Sequence, residues 1–243
     1  MSFNLTFKPY GERSVLIEWP SVISEQILED IIRFKTAIEE KNIKSIVELK
    51  SSYNSLLISY NSICRNFENE VDMLKNIYFS SKLNNDMMSV LWKIPICYDA
   101  FFGIDLQHIS DLTSLSKNEI IRLHYDAIYT VYFIGFLPGF LYLGGLDDCL
   151  KVPRKATPRL KIEKGSVGIG GNQTGIYPSE SPGGWNIIGN SPISFFDVTK
   201  KVPCFAKPGD KITFQSITQK EHNDIKLLVD AGVYQIESEV IDG

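Results

Sequence analysis

"GNQTGIYPSESPGGWNIIGN", Gly171–Asn190, places five glycines and two prolines among Ile176, Tyr177, Trp185, Ile187 and Ile188. It contains no arginine or lysine, and Glu180 is its one acid. A linker shares the glycine and proline content but not the interleaved large apolar residues. Short β-type runs punctuated by Gly and Pro turns indicate small strands in a sandwich or barrel. The pattern extends outward on both sides. Twelve of the 17 glycines fall between Gly135 and Gly189, and the runs "YTVYFIGF", "GSVGIG", "TGIYP", "WNIIG", "ISFFDV" and "DKITFQSI" carry it from Tyr129 to Ile217. The tail "TQKEHNDIKLLVDAG" reads as a helix.

Upstream the patterning differs. "LTFKPYGERSVLIEW" reads as two strands, Leu5–Lys8 and Ser14–Trp19, around a Tyr10-Gly11 turn. Ile27, Ile31, Phe34 and Ile38 then recur at helical spacing after Ser24, a candidate N-cap. "SIVEL" and "SLLISY" follow as strands, "FENEVDMLKNIYFS" as a second helix and "SVLWKIPICY" as another strand. Strand pair, helix, strand pair, helix, strand is the order of a ferredoxin-like α+β sandwich. The fold class read from the two halves is therefore α+β, with domains at 1–90 and 91–243. Within the second, the helical connection "SKNEIIRLHYDA" is opened by a capping box, Ser116 with Glu119.

Composition narrows the function classes. The chain has 243 residues, 44% hydrophobic and 22% charged, with a net charge of −4. That balance gives no basic excess for nucleic acid, and no apolar run approaches the ~20 residues that span a bilayer. The start "MSFNLTFKPYGERS" lacks a basic and then apolar leader, so a cytoplasmic protein is expected. Cys64, Cys97, Cys149 and Cys204 form no C-x-x-C pair and read as reduced thiols, mostly in the core. "GSVGIGGNQTG" does not satisfy G-x-G-x-x-G, and no P-loop, H-E-x-x-H or G-x-S-x-G occurs. With His108, His124 and His222 widely separated, no metal site is expected.

The candidate chemistry is of another kind. In "KVPRKATPRLKIEK", Lys161 and Lys164 suit a solvated strand edge. Arg154 and Arg159 flank "ATP", where Thr157-Pro158 stiffens the backbone, and a guanidinium fork on a stiff strand suits a carboxylate or phosphate. Gln173, Thr174, Tyr177, Ser179, Ser181 and Asn186 add amide and hydroxyl groups. Gly183-Gly184 lets the chain pass close to a ligand or partner. Trp185 reads either as a core residue or as part of that surface. Phe136, Phe140 and Tyr142 in "GFLPGFLYLGG" read as a core loop or a docking surface. His124 is either hydrogen-bonded at a helix end or a proton-transfer group.

"FIGFLPGFLYLGGL", "VPRKATPR", "GSVGIGGNQTGIYPSESPGGW" and "IIG" resemble the signature blocks of the 5-oxoprolinase B-subunit family, also called allophanate hydrolase subunit 1. "IPICYD", "RLHYDA" and "YGERSVLIEW" fit the same pattern, so the resemblance runs from about Tyr10 to Ile217. Leu137 and Gly170 stand where the family carries alanine, and Asp99-Ala100-Phe101 replaces a more Gly-rich run. The resemblance implies a small α+β domain followed by a cyclophilin-like β-barrel. It implies a protein that is inactive alone and pairs tightly with the C subunit of 5-oxoprolinase. With the A subunit as well, the complex opens 5-oxo-L-proline to L-glutamate at the expense of ATP, and no cofactor is assigned to this chain. By motif, Arg159, Arg154 and His124 carry catalysis, while Thr157, Gln173, Tyr177, Gly183, Gly184 and Trp185 line the substrate or anion site. The same family includes KipI-type inhibitors of sensor histidine kinases, and part of an enzyme for urea-derived amides such as allophanate is a further alternative.

Overall fold

Burial alternates along "SVLIE", with Val15 and Ile17 inward, and sets the first sheet. In the computed structural model, which describes residues 3–64, 66–81 and 88–241, the hairpin of β1 (Thr6–Pro9) and β2 (Ser14–Glu18) buries Val15 and Ile17 completely. Gly11 turns it at φ +63°. Next come α1 (Glu25–Glu40), the hairpin β3 (Ile46–Ser51) and β4 (Ser55–Tyr60), then α2 (Phe67–Ser80). The helical stripe Ile27, Ile31, Phe34 and Ile38 meets Leu56, Ile58, Leu74 and Tyr78 in one core. Each such side chain contributes about 1.5–3 kcal/mol by leaving water. Within it the Asp30 carboxylate accepts from Trp19 Nε1 and Tyr78 OH, both at 2.7 Å, and pairs with Arg33.

This sheet runs β1-β2-β4-β3, antiparallel throughout. A ferredoxin-like order returns the strand after the second helix to the edge beside the first central strand. Here β1 holds that edge, and the strand after α2, β5 (Ser89–Cys97), joins the other sheet. The chain divides accordingly into two compact units, Met1–Met87 and Met88–Asp242. The sequence of β5 explains its placement. Ile94, Ile96 and Cys97 are all buried, a run suited to a strand enclosed on both faces rather than to a sheet edge.

The second unit continues through α3 (Leu106–Thr113), α4 (Lys117–Asp126), β6 (Ile128–Ile134), β7 (Leu141–Gly144), β8 (Arg159–Ile162), β9 (Ser166–Gly170) and β10 (Gln173–Ile176). It ends with β11 (Ser181–Gly183), β12 (Asn186–Asn190), β13 (Lys211–Ile217), α5 (Gln219–Asp230) and β14 (Glu237–Ile241). Seven strands close into a barrel in the order β5-β13-β6-β7-β10-β9-β12, and Asn190 opposite Cys97 completes the ring. β5 and β13 run parallel. β14 pairs with the part of β5 that β12 leaves open. β8 and β11 form a separate two-stranded ribbon. Tyr129, Leu141, Ile169, Ile188, Phe195 and Phe214 fill the barrel core.

The capping box expected at Ser116 and Glu119 opens α4, and a second, Thr218 with Glu221, opens α5. The cysteines are unpaired, as the spacing implied, but Cys97 is the buried one and Cys149 is exposed. Among the described residues no helix is long and apolar enough to cross a membrane.

Candidate functional site

The segment from Lys151 to Leu160 bends at Ala156 and Thr157, where the sequence suggested a stiff extended run, and its backbone is tethered to the barrel wall. Val152 bridges Gly171, the Lys155 N–H donates to Gly184 O at 2.7 Å, and Pro153 O accepts from Asn186 Nδ2 at 3.0 Å. Beneath this strap lies Asp105, immediately before α3, with 4% of its side chain exposed. Its Oδ1 accepts from Arg159 Nη2 at 2.7 Å and Lys155 Nζ at 2.8 Å. Its Oδ2 accepts from Arg159 Nη1 at 2.8 Å and the Ile187 N–H at 2.7 Å. Burial alone would raise the Asp105 pKa, but the bonds from Arg159, Lys155 and Ile187 outweigh it and hold the carboxyl below its ordinary value. Two cations on one carboxylate leave this cluster with a formal charge of +1.

Arg154, five residues before Arg159 on the same strap, has different surroundings. Its guanidinium lies 5.6 Å from the centroid of the Trp185 ring, and Nη2 makes a long contact, 3.4 Å, with Gln173 Oε1. Trp185 meets Phe140, Tyr177 and Tyr142 edge-on, at centroid distances of 5.5, 6.4 and 6.4 Å. These rings explain the glycine content. A Cβ on Gly170 would stand 2.5 Å from the Trp185 ring, and one on Gly183 would stand 2.4 Å from Tyr177 OH. Close approach of rings to backbone, rather than flexibility, requires glycine at both positions. Burial pushes the Tyr177 phenol up to about 12, while the Trp185 N–H and the charges of Arg154 and Arg159 pull the other way. An exposed guanidinium over an aromatic floor, beside an amide, is equipped to hold an anion.

The family of the carboxyltransferase domain, subdomain C and D, matches residues 5–206. The chain is 30% identical to the 5-oxoprolinase B subunit of Bacillus subtilis, covering 93% of this chain and 98% of that protein. It is 36% identical to the Haemophilus influenzae protein of the same name, over 85% of this chain and 95% of that one. The chain belongs to the 5-oxoprolinase B-subunit family. Its fold also superposes on the crystal structure of the K. lactis urea amidolyase with a TM-score of 0.84 at 22% identity, over 99% of this chain but 16% of that much longer one.

In this family member the expected site residues divide into groups. Arg154, Gln173, Trp185 and Tyr177 come together, with Gly183 making room for the Tyr177 hydroxyl. Gly184 contributes its carbonyl to the strap, and Thr157 is exposed on it. Arg159 is engaged by Asp105. Of the aromatic loop, Phe140 belongs to the cluster, whereas Phe136 is 62% exposed at φ +66°.

His124 lies in the barrel core. It is fully buried, stacked on Phe214 at 4.8 Å, with Nδ1 2.8 Å from Tyr98 OH and Nε2 2.9 Å from Thr174 Oγ1. Thr174 gives its one hydroxyl proton to Gly168 O, so it accepts from Nε2–H, and Nδ1 accepts from Tyr98. Burial lowers the His124 pKa to about 3. Of the two readings open for it, the geometry is that of a neutral, hydrogen-bonded histidine.

Asp105 was not legible as a site residue. The signal available was an acid immediately ahead of the short amphipathic pattern of Leu106 and Ile109, with a basic run ~50 residues downstream.

Proposed function

We propose that this chain is the B subunit of an ATP-dependent 5-oxoprolinase, inactive alone, which with the A and C subunits opens 5-oxo-L-proline to L-glutamate. Two relatives named as 5-oxoprolinase B subunits are spanned almost end to end, which supports the same role here. A lactam carbonyl is a poor electrophile, so ATP-driven opening activates it by phosphoryl transfer, and the charge that develops needs fixed donors. The sequence has no nucleotide motif, so ATP is bound mainly elsewhere in the complex.

The observation that carries this reading is the Arg154 guanidinium. Among the described residues it has no carboxylate partner, and it sits over Trp185 beside Gln173. In the assembled enzyme it would stabilise the transferring phosphoryl group or the oxyanion of the opening ring. The test is turnover and assembly measured on the same variants. Arg154→Ala should lower kcat/KM by about 10²-fold with the complex intact, since one such donor is worth roughly 2.7–4 kcal/mol. Arg154→Lys should recover little of it, because an ammonium lacks the planar fork. Lys151→Ala, an exposed residue paired with Asp148, serves as the control. ATP-dependent glutamate release by the single chain, or normal turnover by Arg154→Ala, would overturn the reading.

A second reading has one observation in its favour. The same fold occurs within a urea amidolyase, so allophanate or a related urea-derived amide is the competing substrate. Steady-state rates with both substrates on one preparation decide between them. A KipI-type inhibitor would instead lower autophosphorylation of a sensor kinase and show no turnover in any assembly.

A further inference from the structure

Arg154 and Trp185 are joined by more than their side chains. The residues that flank one are bonded to the residues that flank the other. Pro153 O accepts from Asn186 Nδ2 at 3.0 Å, and the Lys155 N–H donates to Gly184 O at 2.7 Å. The strap and β12 are therefore pinned together on both sides of the point where the guanidinium lies 5.6 Å from the ring centroid.

The two pins differ in kind. The one at Lys155 joins backbone to backbone and does not depend on any side chain. The one at Pro153 depends wholly on Asn186, since proline has no N–H with which to bond the wall itself. Asn186 opens β12 opposite Ile169, and its Nδ2 donates also to Ile169 O at 3.2 Å. Both N–H groups of one amide are thus in use, one within the barrel wall and one reaching out to the strap.

The other half of that amide is not in use. Asn186 is fully buried, and its Oδ1 has no hydrogen-bond partner among the described residues. A buried acceptor without a partner destabilises a fold, and an apolar side chain of similar size would avoid that cost. Packing therefore gives no reason for an amide at this position. Its donors do, and the one that leaves the wall fixes the residue next to Arg154. Arg154 itself is held only by the ring contact and the long Gln173 contact, so its place is set by the backbone beneath it.

We propose that Asn186 is a positioning residue: it holds Pro153 to the barrel wall so that the Arg154 guanidinium stays over Trp185. Being fully buried, it touches no reactant. Its effect on turnover rests on the function proposed above, whereas its effect on the strap does not.

Asn186→Leu, which keeps the approximate volume and removes both donors, tests this in the assembled complex and in the isolated chain. In the complex kcat should fall roughly tenfold with KM unchanged, since displacing a catalytic group by 1 Å can cost up to about 10²-fold. In an Arg154→Ala background the same substitution should change kcat by less than about twofold, because the group it positions is gone. In the isolated chain, native-state trypsin cleavage after Arg154 should quicken on the order of tenfold, while cleavage after Lys211 in β13 keeps the parent rate. Asn186→Ser, smaller and with one hydroxyl donor, carries the same three measurements if leucine prevents folding. An unchanged kcat or an unchanged rate of strap cleavage overturns the proposal. So do equal losses of kcat in both backgrounds, or equal quickening after Arg154 and Lys211, because Asn186 then serves the fold as a whole. If the parent complex opens no 5-oxo-L-proline, the function falls and strap cleavage alone decides the positioning.

Discussion

Replacing Asp105 by alanine removes the one carboxylate on which α3, the strap and β12 converge. Arg159 and Lys155 would then face each other at 30% and 21% side-chain exposure, with the Ile187 N–H losing its acceptor. Breaking a fully buried ion pair by deleting one partner costs about 3–5 kcal/mol, and an orphaned buried N–H about 1–3 kcal/mol. The exposed fractions let water recover part of the first cost, and the two terms overlap, so the expected loss is about 3 kcal/mol. Asp105→Asn keeps an acceptor for Ile187 but loses the charge, and should cost about half as much. Urea unfolding of the full chain followed by fluorescence reports it, because Trp92 and Trp185 lie in the barrel unit.

The pH dependence provides a second readout. The folded Asp105 pKa is depressed, so its contribution is complete above the ordinary carboxylate value near ~4 and is lost as pH falls through the lower folded value. Asp105→Asn should flatten that acid limb. A barrel stability within ~0.5 kcal/mol of the parent in Asp105→Ala would refute this account. So would equal losses in the two variants, because the defect would then be one of packing.

His124 makes a prediction of the same sign at higher pH. Its folded pKa is about 3, so stability should decline as pH falls from about 6.5, where the unfolded histidine begins to bind a proton. His124→Gln should be less stable at pH 7 yet show a shallower decline to pH 4; parallel curves would refute this. Gly183→Ala should cost about 1–3 kcal/mol by driving a methyl into Tyr177 OH. Tyr177→Phe in the same chain should recover part of that loss, although Ile162 also crowds the position at 2.6 Å. Absence of coupling in the double-mutant cycle would exclude the hydroxyl as the obstacle.

The barrel was legible because its strands are short and sharply punctuated. Ser166–Gly170, Gln173–Ile176 and Asn186–Asn190 follow the quoted runs closely. The first sheet was legible as elements but not as topology. Period-2 alternation locates β1 and β2 without stating which strand flanks them, and the apolar run Ile94 to Cys97 fits an interior strand of either sheet. The site was half legible. Arg154, Gln173 and Trp185 were named from sequence, and they lie together because the strap and the glycine-rich strands are neighbours in the barrel wall. Asp105 was not legible, since its role depends on a partner 54 positions away and an acid ahead of a helix reads locally as a helix start. His124 shows the converse limit. A histidine at the end of an amphipathic helix looks the same in sequence whether it faces solvent or Phe214.

The two arginines of the strap receive opposite treatment, and that difference assigns them different work. An arginine side chain loses about 2 kcal/mol of rotamer entropy when fixed. For Arg159 the Asp105 fork has already imposed that loss during folding. Arg154 rests on Trp185 and a long Gln173 contact, and an exposed cation–π contact is worth only about 0.5–1 kcal/mol. Such a side chain can turn toward a charge that arrives with a partner protein or develops during reaction. The fixed work of Arg159 is therefore the Asp105 clasp, and adaptive stabilisation is the role proposed for Arg154. It follows that Arg159 substitutions should register in the isolated chain, as a loss of stability in urea unfolding. Arg154 substitutions should be silent there and register only in the assembled enzyme. An Arg154→Ala chain destabilised in isolation as much as Arg159→Ala would reverse this assignment.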